Sequence, residues 1–478
     1  MPRSLFIRVF PAVMALCYVS LIIFRDVYID EAWLGEMALW LARKGYVHSE
    51  LFRGMLGYDQ PLFVYHKLHI WTTAVWIQLT GFSLISMRSL NLLFVGLTFW
   101  GLWKSLDNQG HRHYYFGILL SIYLLHPALY HFGMIVRPET MLATAGIILF
   151  VLLKMALEKD SLRLLMLGAV MAGVCALIHL NGLGFMFAGG VLLLFKRRWQ
   201  WLFIFSAISS MVATAYFLDI LLLKPANGFA EFLHQWNNDP ALIDYPFYWY
   251  TPFVNLLTEH RRLFHSQSEI ISSVIWILST IYLLRDKELR KKYSTLLIYT
   301  LGAFAGIGMI AQAKTTHYYS LYIPEFSLIC FAAVVSIFER RDAIWKKIYL
   351  SLFGLSFLAA LFSVGVNWYE YDDQIGQHTE ILQPVPTGET VLSPYNIILN
   401  EYENYQFWSG REDKNPEESL RFNLSWAKTV DVNYVVIRVA HTFPKKEFTL
   451  PQASEGYSLV KRTTNYFLYV KEGAELSE

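Results

Sequence analysis

Long apolar runs of about 17–25 residues, set apart by short polar connectors, limit what this chain can fold into more than any other feature. That is the length an α-helix needs to cross a hydrocarbon core about 30 Å thick. No water is available there, so backbone N–H and C=O groups must be satisfied within the segment, as they are in a helix. The runs fall at 5–24, 85–104, 114–133, 139–157, 162–179, 183–196, 201–223, 268–284, 294–312, 319–338 and 348–366. They predict an α-helical polytopic membrane protein with about eleven transmembrane helices. The 478 residues are 55% hydrophobic and only 16% charged, whereas soluble domains carry roughly 25% charged residues. Trp and Tyr collect near the run ends, where an interfacial belt would hold them. Lys and Arg cluster between runs rather than along one folded face, so nothing points to a nucleic-acid partner.

Cys17, Cys175 and Cys330 all fall in apolar runs, which leaves no disulfide framework and no cysteine metal site for the C-terminal region. Arg3 and Arg8 at the start imitate a signal peptide, but Phe24-Arg25-Asp26-Val27-Tyr28 offers no small-x-small cleavage site, and an uncleaved first span is expected. With the N-terminus inside, basic residues recur at each inside turn: Lys104 with Arg112, Lys154 with Arg163, Lys196-Arg197-Arg198, the Arg285–Lys292 run, and Arg340-Arg341 with Lys346-Lys347. An odd number of spans puts the tail outside. The expectation is a multi-pass protein of the inner (cytoplasmic) membrane with a cytoplasmic N-terminus.

Residues 1–366 form the transmembrane domain in this reading, with outer-face loops at 25–84 and 224–267. In the first loop, Trp33, Met37, Trp40 and Leu41 share one helical face over 30–44, with Glu36, Arg43 and Lys44 largely elsewhere and Gly45 as the stop. That helix is too short to span and suits the interface. Residues 61–80 predict a second interfacial helix, ended by Gly81. The tail, 367–478, predicts a small extracytoplasmic α/β domain. Its strands fall at 389–393, 433–439, 457–462 and 466–471, the last two joined by Thr463-Thr464-Asn465. A helix opens at Asn415-Pro416-Glu417-Glu418 and runs to about Lys428.

Four clusters carry the chemistry. Asp30-Glu31 follows the first span, either as an N-cap and first-turn acid or as a carboxylate base at the water–lipid boundary. Asp59 precedes Pro61 as a second N-cap or a cavity acid. His66 and His69, spaced i,i+3, would face one way on a helix, so Asp59, His66 and His69 are the candidate ligands should a divalent metal bind. Arg137-Pro138-Glu139 opens the fourth span, where Arg137 calls for a partner in Glu139 or Asp30. Lys314, His317, Tyr318, Tyr319 and Tyr322 enter the tenth span together and suit an anion, with Arg261-Arg262 in the second loop as further phosphate donors.

An early Asp-Glu, an acid-x-Pro, Arg88 starting the second span, Arg-Pro-Glu at the fourth and a late Lys…His-Tyr…Pro together resemble the C-type glycosyltransferases, the group that includes the protein O-mannosyltransferases and the bacterial aminoarabinose transferase of lipid A. The resemblance covers roughly residues 1–340. It implies transfer of a sugar from a polyprenyl-phosphate carrier to a hydroxyl on a lipid, glycan or protein at the outer face, by one inverting displacement. It also implies that Asp30, beside Glu31, activates the acceptor, and that Lys314, His317, Tyr318 and Arg261 hold the donor phosphate. Asp59, Arg137 and Glu139 would line the cavity, and no cofactor is required. Asp59-Gln60-Pro61 departs from the acid-Lys-Pro that aminoarabinose transferases resemble, which argues against that donor. The alternative is a transporter or flippase for a lipid-linked or anionic substrate, yet the paired halves and interrupted mid-membrane helices of transporters are not evident.

Overall fold

The structure, a computed structural model, describes residues 3–25, 27–53, 57–106, 112–224, 226–238, 248–311, 316–370, 374–412, 415–439 and 449–477. The chain divides into two compact units. One comprises Met1–Ile23, Val64–His69 and Arg88–Val366; the other comprises Phe24–Phe63, Ile70–Met87 and Asn367–Glu478.

The helices follow the apolar runs: α1 (Arg3–Phe24), α2 (Ile29–Lys44), α3 (Lys67–Thr80), α4 (Leu84–Ser105), α5 (Arg112–Leu124), α6 (Pro127–Phe132), α7 (Pro138–Lys159), α8 (Leu162–Ile178), α9 (Leu183–Phe195), α10 (Trp199–Ala213), α11 (Leu218–Leu223) and α12 (Gly228–Asn238), then Gln267–Arg285, Ser294–Ile310, Ile323–Glu339 and Ala343–Glu370. Among the described residues, six helices are long and apolar enough to cross a membrane: Leu84–Ser105, Pro138–Lys159, Trp199–Leu223, Gln267–Arg285, His317–Glu339 and Ala343–Tyr369. Leu162–Ile178, Leu180–Phe195 and Ser294–Ile310 are apolar but shorter. The run at 114–133 is not one helix. It breaks at His126-Pro127, where proline cannot donate the next helical hydrogen bond.

In the first unit His317–Glu339 is central, with 83% of its apolar window buried, whereas Trp199–Leu223 has only 17% buried. Phe203, Met211, Leu221 and Leu222 on that peripheral segment are exposed, which suits hydrocarbon rather than water. Small residues let α9 and Ser294–Ile310 approach backbone to backbone. A Cβ on Gly184 would stand 2.5 Å from the Ile307 nitrogen, and one on Gly306 2.7 Å from the Gly184 carbonyl oxygen. This is the close approach on which helix association in lipid relies.

In the second unit α2 differs from the expected one-sided helix. Glu31, Ala32 and every residue from Leu34 to Leu39 are buried, so protein covers it nearly all round. Glu36 is buried because its carboxylate accepts hydrogen bonds from Trp40 Nε1 (2.9 Å), Ser49 Oγ (2.7 Å) and the Glu50 and Leu51 amides (2.6 and 3.1 Å). It therefore fixes the loop after the helix instead of facing solvent. α3 starts at Lys67 rather than near 61, so neither Asp59 nor Pro61 begins it. On its outer side Trp71, Val75 and Leu79 form an exposed apolar stripe at four-residue spacing, as an interfacial helix would.

The tail builds a six-stranded mixed sheet from β1 (Thr390–Ser393), β2 (Gln406–Ser409), β3 (Tyr434–Arg438), β4 (Ala453–Ser454), β5 (Tyr457–Arg462) and β6 (Tyr466–Lys471), in the order β2-β1-β3-β6-β5-β4. β1 pairs in parallel with β2 and β3, and the remaining pairings are antiparallel. The helix Pro416–Thr429 opens on Asn415, whose side chain accepts the Glu417 amide at 3.1 Å. Its Leu420, Leu424 and Ala427 share a core with Val435, Ile437 and Phe467. Most of the first loop, residues 25–63 and 70–84, belongs to the same unit. Leu51 accepts the Ser409 amide at 2.9 Å, Phe52 packs against Tyr395, and Arg43 donates to Glu403 at 3.1 Å.

Candidate functional site

One group of ionisable residues of the first unit gathers where α7 begins, α8 ends and the 3-10 turn Thr316–Tyr322 leads into Ile323–Glu339. Pro138 at the first turn fixes the start of α7, with Arg137 extended as its N-cap. Arg137 turns its guanidinium fork onto Glu139, with Nε 3.2 and 3.1 Å from the two carboxylate oxygens and Nη2 2.8 Å from Oε1. Of the two partners predicted for Arg137, Glu139 is thus engaged. The side chains are only 14% and 5% exposed, so the pair is largely withdrawn from solvent.

α8 ends because His179 leaves the helical region (φ −159°, ψ 147°), and the turn Leu180–Gly182 follows. Only glycine fits at 182, since a Cβ would stand 1.9 Å from the Cys175 carbonyl oxygen. His179 Nδ1 accepts the Asn181 amide at 2.9 Å. Its ring stacks on His66 with centroids 4.4 Å apart and meets Tyr318 edge-on at 5.5 Å. The Asn181 carboxamide lies beside the Tyr318 hydroxyl. The Arg262 guanidinium sits 5.5 Å from the Tyr318 ring centroid. It donates to Glu259 at 2.5 Å and to the Tyr322 hydroxyl at 3.2 Å, while Tyr322 donates to Glu259 at 2.7 Å.

Residues 64–69 bring His66 to this cluster. Next to it, Lys67 forms a buried pair with Asp219 at 2.5 Å. Tyr65 donates to the same carboxylate at 2.8 Å, and the Lys67 ammonium lies 3.9 Å from the Tyr65 ring centroid and 4.9 Å from that of Tyr216. Burial holds Lys67 down to about 8 although Asp219 pulls the other way. Burial lowers His66, only partly opposed by Glu139, and with the help of His66 it takes His69 down to about 3. Both imidazoles are therefore neutral at pH 7.

Several sequence expectations change here. His66 precedes α3 and His69 lies within it, so the two do not share a helix face, and His66 uses its ring on His179 instead. Among the described residues no group of three or more His, Cys, Asp or Glu side chains is arranged to hold a metal. Of the adjacent arginines, Arg261 is exposed and Arg262 is fully buried. His317 and Tyr318 are half-buried, and Lys314 lies outside the described residues.

In the second unit Asp30 is half-buried in the first turn of α2, but the N-cap is Tyr28, not Asp30. The helix starts two residues early because the buried Glu31 reaches back to accept the Tyr28 amide at 2.9 Å. Asp59 is half-buried, with Gln60 Nε2 donating to it at 3.3 Å. The sequence reading missed His179, Asn181, the Arg262–Glu259 pair and the Lys67–Asp219 pair. A signal for the first two was present in His179-Leu180-Asn181-Gly182, a polar interruption between two apolar runs.

No family model matches the chain, and no curated protein matches it in sequence. Solved structures do match. ArnT from Cupriavidus metallidurans, bound to undecaprenyl phosphate, is 12% identical with a TM-score of 0.58, and the match covers 99% of each chain. The oligosaccharyltransferase of Archaeoglobus fulgidus, tethered to an acceptor peptide, is 10% identical with a TM-score of 0.55, covering 91% of this chain and 69% of that one. The arabinosyltransferase EmbB from Mycobacterium smegmatis is 13% identical with a TM-score of 0.50, covering 82% and 42%. At such identities the likeness is one of fold, and it runs through both units. The chain carries the polytopic fold of the C-type membrane glycosyltransferases.

Proposed function

We propose that this protein transfers a sugar from a polyprenyl-phosphate carrier to a hydroxyl acceptor at the outer face of the membrane, in a single inverting displacement. The observation that carries the reading is the end-to-end likeness to ArnT, a protein whose structure holds undecaprenyl phosphate. The apolar runs support about eleven crossings of the inner membrane, an N-terminus in the cytoplasm, a transmembrane domain over 1–366 and an extracytoplasmic domain over 367–478.

In the reaction, Asp30 takes the proton of the acceptor hydroxyl as its oxygen attacks the anomeric carbon. The bond from that carbon to the phosphate oxygen breaks, and polyprenyl phosphate leaves with one more negative charge. Lys314, His317, Tyr318 and Arg261 hold that phosphate, where a cation in a poorly hydrated site is worth more than in water. Glu31 is committed to the Tyr28 amide and steadies the turn that carries Asp30. Asp59, Arg137 and Glu139 line the cavity, and no step calls for a metal. The test incubates purified protein with a panel of polyprenyl-phosphate sugars and hydroxyl acceptors and measures released polyprenyl phosphate. Movement of intact sugar-lipid across a vesicle bilayer without release would favour the transporter alternative.

A further inference from the structure

Near the cluster, three described cations of the first unit have a carboxylate of their own: Arg137 with Glu139, Arg262 with Glu259 and Lys67 with Asp219. Beside these pairs the His179–Asn181 turn offers uncharged donors. Because His179 Nδ1 accepts a backbone N–H, a neutral ring must carry its proton on Nε2, and Nε2 makes no hydrogen bond among the described residues. A few atoms away in the same turn, the Asn181 side-chain amide nitrogen, whose neighbour is the Tyr318 hydroxyl, is buried without a hydrogen bond of ordinary length among the described residues, in a residue only 4% exposed. A buried amide donor left unpaired is expensive, so a native protein normally reserves it for a ligand or a water. The flat rings of Tyr318 and of the His66–His179 stack stand beside these donors.

We propose that the His179–Asn181 turn is the sugar subsite of the donor and that the sugar is a neutral hexose or pentose. His179 Nε2–H and the Asn181 amide donate to its hydroxyl oxygens, while Tyr318 covers one side of the ring. This rests on the polyprenyl-phosphate-sugar donor proposed above and assigns its sugar end. An amino sugar would bring an ammonium to a place where Glu139 and Glu259 are already engaged with arginines. A uronate would bring a second anion to arginines already neutralised. Among the described residues, Glu325 is a buried carboxyl with neither oxygen hydrogen-bonded, and Tyr123, Cys175 and Tyr299, not the members of this cluster, are the groups it acts on electrostatically.

The experiment measures binding to purified full-length protein of three ligands: bare polyprenyl phosphate, the same lipid carrying a neutral hexose or pentose, and the same lipid carrying an amino-pentose. In the wild type the neutral sugar should tighten binding over bare lipid, and the amino sugar should not. His179→Asn keeps an acceptor near Nδ1 for the Asn181 amide but has no donor at the Nε2 position. It should lose about tenfold of the sugar-dependent gain, the scale of one uncharged hydrogen bond, with bare-lipid binding unchanged. His179→Gln, whose amide reaches the Nε2 position, should keep most of the gain, and Asn181→Leu should lose it. A purely structural role would weaken bare lipid equally. An undiminished gain in His179→Asn, or tighter binding of the amino sugar than of the neutral one, overturns the subsite while leaving the donor reading intact. Absence of lipid-phosphate binding in the wild type defeats the donor reading, and the subsite with it.

Discussion

Breaking the Lys67–Asp219 pair should disturb the site through His66, its neighbour, without touching any reacting group. Both side chains are about 7% exposed. The Lys67 ammonium is held from 10.5 down to about 8, so at about 1.4 kcal/mol per unit the charged form costs on the order of 3 kcal/mol relative to a solvated lysine. Desolvation thus outweighs attraction, and the pair holds position more than it stabilises. Lys67→Met alone strands the Asp219 charge, and Asp219→Leu alone strands the ammonium. Each should cost roughly 3–5 kcal/mol of local stability, whereas the double variant should return to within about 1 kcal/mol of wild type. Hydrogen exchange of the α11 amides in detergent-solubilised protein reads the local opening, and single-turnover transfer reads the site. The singles should exchange faster and transfer slowly. The double variant should regain protection but only part of the rate, because the Met–Leu contact lacks the directional hold on residues 64–69. Single variants as protected as wild type, or a double variant whose loss equals the sum of the singles, would refute a coupled buried pair.

Asp30→Asn should lower turnover by at least about 100-fold while leaving lipid-phosphate binding intact. Since Tyr28 is the N-cap, the amide is not needed there as a cap, and a fold collapse with loss of binding would count against the proton-accepting role. His378 is buried between Tyr466 and Asn400, and burial, aided by Arg438, takes it down to about 3. The unfolded chain takes up that proton near 6.5, so it binds more protons than the folded domain between about 3 and 6.5, and stability falls as pH falls through that window. At pH 5 the loss should be about 2 kcal/mol relative to pH 7, seen as faster exchange of β6 amides, and His378→Gln should abolish the dependence. Arg421→Cys, on an exposed position of the Pro416–Thr429 helix, should react with an impermeant reagent in intact cells. Protection there would overturn the odd number of crossings.

What the sequence disclosed was local in origin. The hairpin of β5 and β6 around Thr463-Thr464-Asn465 and the Asn415-Pro416 helix start are written within a few residues of where they act, and both stand where the pattern put them. β2 was missed because four residues with one buried side chain have no period to read. The choice between Arg261 and Arg262 depends on one helical step of about 100°, which adjacent letters cannot reveal. His66 and His69 looked like a helical pair until the helix proved to start between them. Glu36 falls off the apolar face in the pattern, and nothing there shows its burial, because its partners include the amides of Glu50 and Leu51, and backbone donors leave no trace in composition. Lys67 and Asp219 are separated by more than 150 residues, so only the fold could introduce them.

The second unit also sets a schedule for synthesis. Its early part, Phe24–Phe63, is finished roughly 300 residues before Asn367 is made, an interval of roughly 15–60 s at usual translation rates of about 5–20 residues per second. During that time Leu51 has no Ser409 to hold, Arg43 no Glu403 and Phe52 no Tyr395. Asp30, carried on α2 in that same early part, therefore waits for the last quarter of the chain before its helix is covered. A ribosome that stops before β1 releases a chain in which Leu51, Arg43 and Phe52 still lack these partners.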